Sequence, residues 1–298
     1  MRVDDGAITE GPERLRIEVF GYDVAEISQI RRIRTIRDLG HEVHSFSMRR
    51  DNMNGGFRPD WPNTHLFITM NGKLWHRAVI VAASIMRMAG HRARLRAADM
   101  LVARNLDMLA IAWAARALAR AGDVPLIYEC LDINGALCRP NLEGRAMRAA
   151  ERFLLRRIQM LIVSSPGFIR DYFEPVQGYR GSRALWENKL AAGSALPVRP
   201  TPRECPDGEG KIRIGWIGTI RCLPSLMLLA AVADRMGKRV EIHVHGVVHG
   251  HLRRDFDAFT GARANMIYHG PYAYPQDLAR VYGGCDLVWA QDLWQRGN

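Results

Sequence analysis

Apolar residues along this chain follow two alternating periods. Short runs such as Leu15 to Phe20, Glu42 to Phe46 and Leu161 to Ser164 read as strands, and longer segments with three- and four-residue apolar spacing read as helices. The clearest helix carries Ile27, Ile30, Ile33, Ile36 and Leu39, with Gly40 as its stop. Leu66 to Thr69, Met100 to Ala103 and Leu126 to Tyr128 read as further strands. Helices are predicted over Leu74 to Ala98, Leu109 to Ala121 and Glu143 to Ile158. Strand alternating with helix implies parallel pairing and a doubly wound α/β sheet.

Residues 191–211 break the pattern. They hold Pro197, Pro200, Pro202 and Pro206 and sustain neither a helix nor a central strand, so they read as a linker between domains 1–190 and 212–298. Beyond it the alternation resumes: strand Ile212 to Ile217, helix Leu226 to Met236, strands Val240 to Val244 and Met266 to His269, helix Gln276 to Tyr282, strand Leu287 to Ala290. This second half is shorter than the ~100–150 residues usual for a domain. The expectation is an incomplete second domain, cut within a longer polypeptide.

Composition narrows the class. Hydrophobic residues are 48% and charged residues 24%, a globular balance. Lys and Arg exceed Asp and Glu by 11, which points to an anionic partner: phosphates, nucleic acid or an acidic membrane surface. The five cysteines, Cys130, Cys138, Cys205, Cys222 and Cys285, form no C-x-x-C pair, which fits a reducing compartment and neither a disulfide framework nor a zinc ribbon. The chain opens without an apolar leader and holds no run of the ~20 apolar residues a spanning helix needs. A cytoplasmic protein is expected.

Candidate chemistry concentrates behind the linker. Ile212 to Ile217 is expected to open into a glycine turn at Gly218-Thr219, followed by Arg221 and a helix. Glycine admits close backbone approach, first-turn N–H groups point outward, and arginine adds charge, so the stretch reads as a diphosphate site. Its plainer reading is a tight turn with a solvated arginine. Asp132 follows an apolar strand, where ligands of open α/β sheets bind, and reads either as a cleft carboxylate or as a cap for the next segment. Glu129 and Asn105 share that position. His243 and His245 alternate on one strand face, with His249 and His251 close behind. A strand-end loop near a nucleotide suits them better than a metal site, for which only Glu241 shares the face. Residues 73–98 carry six basic residues and no acidic one. They read as an amphipathic surface for anionic lipid, or as an ordinary helix with a solvated basic face. Nucleic-acid binding is the less favoured alternative, since no helix-turn-helix, finger or aromatic RNA platform is present.

The ordered series LGHEV (39–43), ARNLDMLA (103–110), LIYECLDI (126–133), ERFLLRRIQMLIVSS (151–165), LWENK (185–189), IGWIGTIR (214–221) and NMIYHGPY through DLARVYGGCDLVW (265–289) resembles the family-4-type glycosyltransferases of the GT-B fold. The resemblance implies two Rossmann-like doubly wound domains, an N-terminal acceptor side and a C-terminal donor side. It implies retaining transfer of a sugar from a nucleoside-diphosphate-sugar to a lipid-linked or saccharide acceptor, in bacterial polysaccharide or glycolipid synthesis. No cofactor and no metal are implied. By the same resemblance Gly218, Thr219, Arg221, His245, Gly246 and Tyr272 fall on the donor side. Gly21, Asn105, Glu129 and Asn188 fall on the acceptor side, and Asp132 is the candidate catalytic carboxylate. The family's E-x7-E pair has no counterpart before Asn298, so a non-catalytic nucleotide-sugar binder is the alternative expectation. A lipid-linked acceptor implies peripheral contact with the inner face of the plasma membrane.

Overall fold

The computed structural model describes residues 14–50, 56–69, 74–189, 210–273 and 276–291. The chain divides into two compact units, Met1–Ala192 and Gly193–Asn298. Nearly all of the 191–211 segment lies outside the described residues, as does Asp292.

The first unit is a parallel seven-stranded sheet, β1 (Arg16–Gly21), β2 (Glu42–Arg50), β3 (Asn63–Thr69), β4 (Met100–Arg104), β5 (Leu126–Cys130), β6 (Met160–Val163) and β7 (Arg183–Leu185), in the order β3-β2-β1-β4-β5-β6-β7. Its helices are α1 (Ile27–Asp38), α2 (Leu74–Arg87), α3 (Arg92–Arg96), α4 (Leu106–Leu118), α5 (Gly135–Cys138), α6 (Leu142–Leu155) and α7 (Pro166–Phe168). Side chains alternate across the sheet. Ile17, Val19, Val43, Val102, Ile127 and Ile162 form one core with Ile33 and Ile36 of α1. Phe20, Phe46, Leu101, Ala103, Tyr128 and Leu161 form the other, beneath α4 and α6. The order of strands reverses between β1 and β4, which makes their carboxyl ends the topological switch point of this sheet.

The second unit repeats the plan with β8 (Ile212–Ile220), α8 (Leu223–Met236), β9 (Val240–Val248), α9 (Arg253–Gly261), β10 (Met266–Gly270), α10 (Leu278–Gly283) and β11 (Leu287–Trp289). The parallel order is β10-β9-β8-β11, with its switch point between β8 and β11. Trp216, Ile220, Ile242 and Val244 pack with Leu226, Leu229 and Phe256 of α8 and α9. Cys285, just after α10, meets the opposite face at Gly215.

Three sequence expectations change. The expected glycine turn at Gly218-Thr219 is strand: β8 runs on to Ile220 and pairs without interruption to β9, Gly218 beside Gly246. Both glycines have positive φ, +125° and +138°, and a β-carbon on Gly246 would stand 1.7 Å from the Gly218 carbonyl oxygen. The glycines serve close strand approach. Helix α8 accordingly starts at Leu223, three residues before the expected start. The single helix expected over 74–98 is α2, a 3-10 turn at Met88–His91, and α3. Finally, two exposed arginines of that segment are tied down at their tips: Arg94 pairs with buried Glu18 at 3.2 Å, and Arg96 donates to the Ala119 carbonyl at 2.6 Å. Among the described residues no helix is long and apolar enough to cross a membrane.

Candidate functional site

At the switch point of the second unit a crevice of about 310 Å³ is lined by Trp216, Ile217, Thr219, Arg221, Trp289 and Gln291. Chain order explains it. Strand β8 feeds α8, and the sheet order turns back beside it, so the carboxyl ends of β8 and β11 adjoin there. The N-terminus of α8 closes one wall. Its amides are less available than the sequence suggests. Pro224 has none, the Ser225 N–H donates to Cys222 Sγ at 3.3 Å, and the Leu226 N–H donates to the Cys222 carbonyl at 3.0 Å. Positive charge at this crevice therefore rests on the Arg221 guanidinium and the helix dipole.

Thr219 and Arg221 both line this crevice. Gly218 and Gly246 lie in the sheet as a contact pair, and Tyr272 follows β10, two strands from β8. His245 is buried at 7% exposure, stacked 4.3 Å from His269, whose ring also stacks on His243. His243 Nδ1 and His269 Nε2 are 2.9 Å apart, so one nitrogen of that pair must be unprotonated. Burial pushes His245 down to about 4, aided by the nearby His269, His243 and Arg280, and lowers His269 likewise. Among the described residues no three His, Cys, Asp or Glu side chains are placed to share a metal ion. His269 was not singled out in the sequence; its signal was its position at the end of the strand next to His243 and His245.

In the first unit Gly21, Arg104 and Glu129 sit side by side across β1, β4 and β5 at their carboxyl ends. A β-carbon on Gly21 would lie 2.0 Å from the Gln29 side chain, which fills that space and donates to Ser47 Oγ at 3.0 Å. Glu129 is 1% exposed and occupied on both oxygens: Arg32 Nη2 approaches Oε1 at 2.9 Å and Arg104 Nε approaches Oε2 at 3.0 Å. Its carboxylate is committed to the two arginines. Desolvation lowers the Arg32 pKa, partly offset by Glu129. Arg32 lies flat against Trp186, 3.5 Å from the ring centre, and Arg31 Nη2 donates to Asn188 Oδ1 at 2.8 Å. Asn105, at φ 97°, caps α4 by accepting from the Met108 N–H at 3.0 Å. Asp132 is exposed in the loop after β5. The cap of the following helix is Asn134, which leaves Asp132 outside that structural role. Arg32 and Arg104 were missed. An arginine closing the apolar strand MLVAR was the available signal for Arg104.

A separate buried carboxyl, Glu151, accepts from Tyr128, Tyr172 and Gln177 at 3.2, 2.5 and 2.6 Å. Burial raises its pKa against those three donors. The cluster ties α6 to β5 and to the helical turn at Ile169–Phe173, away from the strand ends.

No protein-family profile matches the chain. The succinoglycan biosynthesis protein ExoL of Rhizobium meliloti (strain 1021) is 35% identical over 287 residues, covering 95% of this chain and 71% of the relative. Among solved structures, Anabaena HepE in complex with UDP and glucose matches with a TM-score of 0.58 at 14% identity, over 92% of this chain and 73% of that one. WaaG, a glycosyltransferase involved in lipopolysaccharide biosynthesis, matches at 0.57 and 15% identity, over 92% and 74%. A UDP-N-acetylglucosamine 2-epimerase matches at 0.55 and 10% identity, over 93% and 74%. At such identities the structural likenesses establish the fold, which is the GT-B arrangement of two doubly wound units, and transferases share it with epimerases.

Proposed function

We infer the function of this chain from one premise: it belongs to the family of the succinoglycan biosynthesis protein ExoL. It is a glycosyltransferase of bacterial polysaccharide synthesis, moving a sugar from a nucleoside-diphosphate-sugar to an acceptor hydroxyl. The observation that carries this reading is the crevice between β8 and β11, where Thr219 and Arg221 stand at a strand-to-helix connection. The donor's diphosphate occupies that crevice. Bond cleavage puts negative charge on the departing diphosphate, and a fixed guanidinium stabilises that charge where it develops. UDP bound to Anabaena HepE supports a uridine donor for the same fold.

The acceptor binds the first unit at the carboxyl ends of β1, β4 and β5, with Asp132 orienting its hydroxyl group. Transfer proceeds with retention of anomeric configuration. An exposed apolar stripe on α2, Val79 and Met86, lies with exposed Ile68 of β3 near Arg87 and Arg92 and rests on an anionic lipid surface, which brings a lipid-linked acceptor within reach.

Calorimetric titration with UDP and GDP tests the donor site. Arg221→Ala is expected to weaken binding at least tenfold, about 1.4 kcal/mol. A folded Arg221→Ala protein that binds as tightly as the parent overturns the assignment. Strongly salt-dependent DNA or RNA binding without nucleotide binding would instead support the nucleic-acid alternative. Proton NMR of the product's anomeric signal tests retention.

A further inference from the structure

We propose that Arg31, Arg32 and Arg104 form an anion subsite at the switch point of the first unit, built to hold a phosphate group of the acceptor. The word acceptor rests on the transferase reading; the anion subsite stands on geometry alone.

Charge balance is the first argument. Two guanidiniums share one buried carboxylate, Glu129, whose two oxygens are spent on Arg32 and Arg104, and the charge of Arg31 is felt at Arg32.

Unused donors are the second argument. Arg104 is only 4% exposed, yet its Nη1 is buried without a hydrogen-bond partner among the described residues, and so is Arg31 Nε. A buried donor without an acceptor costs about 1–3 kcal/mol, and each such group in a folded protein calls for an explanation. An oxyanion supplies the missing acceptor. Pinning α1 to the sheet explains less, because Arg32 alone would already pair Glu129 across that interface.

Position and rigidity complete the case. The row Gly21, Arg104, Glu129 ends at the sheet's switch point, where open α/β sheets take their ligands. The thirteen-residue helix α4 begins beside Arg104, so its positive end adds to the arginine field. Trp186 holds the Arg32 guanidinium flat and Asn188 holds Arg31, which lowers the ordering cost of binding. Guanidinium forks fit the several oxygens of a phosphate better than a lone carboxylate.

The test is calorimetric titration of the whole chain with pyrophosphate while UDP saturates the donor crevice. One further site is expected. It should weaken at least tenfold in Arg31→Ala and in Arg104→Gln, which leaves Glu129 paired with Arg32. UDP affinity should stay unchanged in both variants, and Arg221→Ala should keep the pyrophosphate site. Absence of pyrophosphate binding to the UDP-saturated protein, or parental affinity in both variants, overturns the subsite. If UDP itself does not bind, the donor reading fails, and pyrophosphate titration of Arg221→Ala still decides the subsite. Competition separates the sources. Displacement of pyrophosphate by a short prenyl diphosphate assigns the subsite to a lipid-linked acceptor, displacement by glucose 1-phosphate to a soluble one, and displacement by neither overturns the acceptor role.

Discussion

The carbonyl oxygen of Gly218 lies 1.7 Å from where a β-carbon on Gly246 would stand. The two residues are register partners on β8 and β9, immediately before Thr219 of the crevice between β8 and β11. No such obstacle faces Gly218, whose own β-carbon would meet nothing within 4 Å. Gly246→Ala is therefore predicted to destabilise by about 3 kcal/mol or more, because backbone must move. Gly218→Ala should cost only about 1–2 kcal/mol, the penalty of a positive φ. Urea denaturation of both variants checks the ranking, and equal losses would contradict it.

The histidine stack predicts acid sensitivity. His245 has its pKa lowered to about 4 in the folded chain by burial, against an ordinary value of 6.5. The fold thus favours the neutral ring. That contribution is fully present above pH 6.5 and is lost progressively as pH falls toward 4, by on the order of 3 kcal/mol. His269 acts in the same direction. Urea midpoints between pH 8 and pH 4.5 should fall for the parent and fall less for His245→Phe. A parallel decline in both would remove His245 as the cause.

Glu129 should be far more costly to remove than a surface acid. Glu129→Ala strands Arg32 and Arg104 without their counter-charge and is predicted to cost about 3–5 kcal/mol. Asp60, half-exposed and paired with Arg34 at 3.4 Å, should cost under about 1 kcal/mol on the same change. Thermal unfolding of the two variants is the measurement.

Membrane contact is predicted to run through α2. Met86, at 74% exposure, and Arg92 lie on the surface, so Met86→Glu with Arg92→Glu should reduce recovery with anionic liposomes in flotation while leaving the fold intact. Arg94 and Arg96 are unsuitable probes, since their loss breaks the contacts to Glu18 and the Ala119 carbonyl. Equal recovery with neutral and anionic lipid would leave α2 an ordinary solvated helix.

Local pattern carried the fold a long way. The isoleucine spacing located α1 because Ile33 and Ile36 have to face a core, and Gly40, at φ 92°, ends the helix as its position suggests. The position of Thr219 and Arg221 at the end of a strand was legible because the apolar run before them and the helix pattern after them bracket it. What escaped depends on partners distant in the chain. Gly218 looks like a turn until Gly246 is beside it. Arg32, Arg104 and Glu129 become one cluster only through the β4–β5 register and the seating of α1, and neither leaves a trace in spacing. The contacts of the exposed Arg94 and Arg96 to Glu18 and the Ala119 carbonyl were hidden for the same reason.

Gly21 and Gln29 have a consequence for how this sequence can drift. The Gln29 amide occupies the volume a side chain at position 21 would need, and it is anchored there by Ser47. A larger residue at 21 must displace the Gln29 amide, and either that displacement or a shortened 29 abandons the bond to Ser47. Lineages descended from a common ancestor should therefore exchange these positions jointly, with 47 following. A double exchange at 21 and 29 should be tolerated where the single change at 21 is purged.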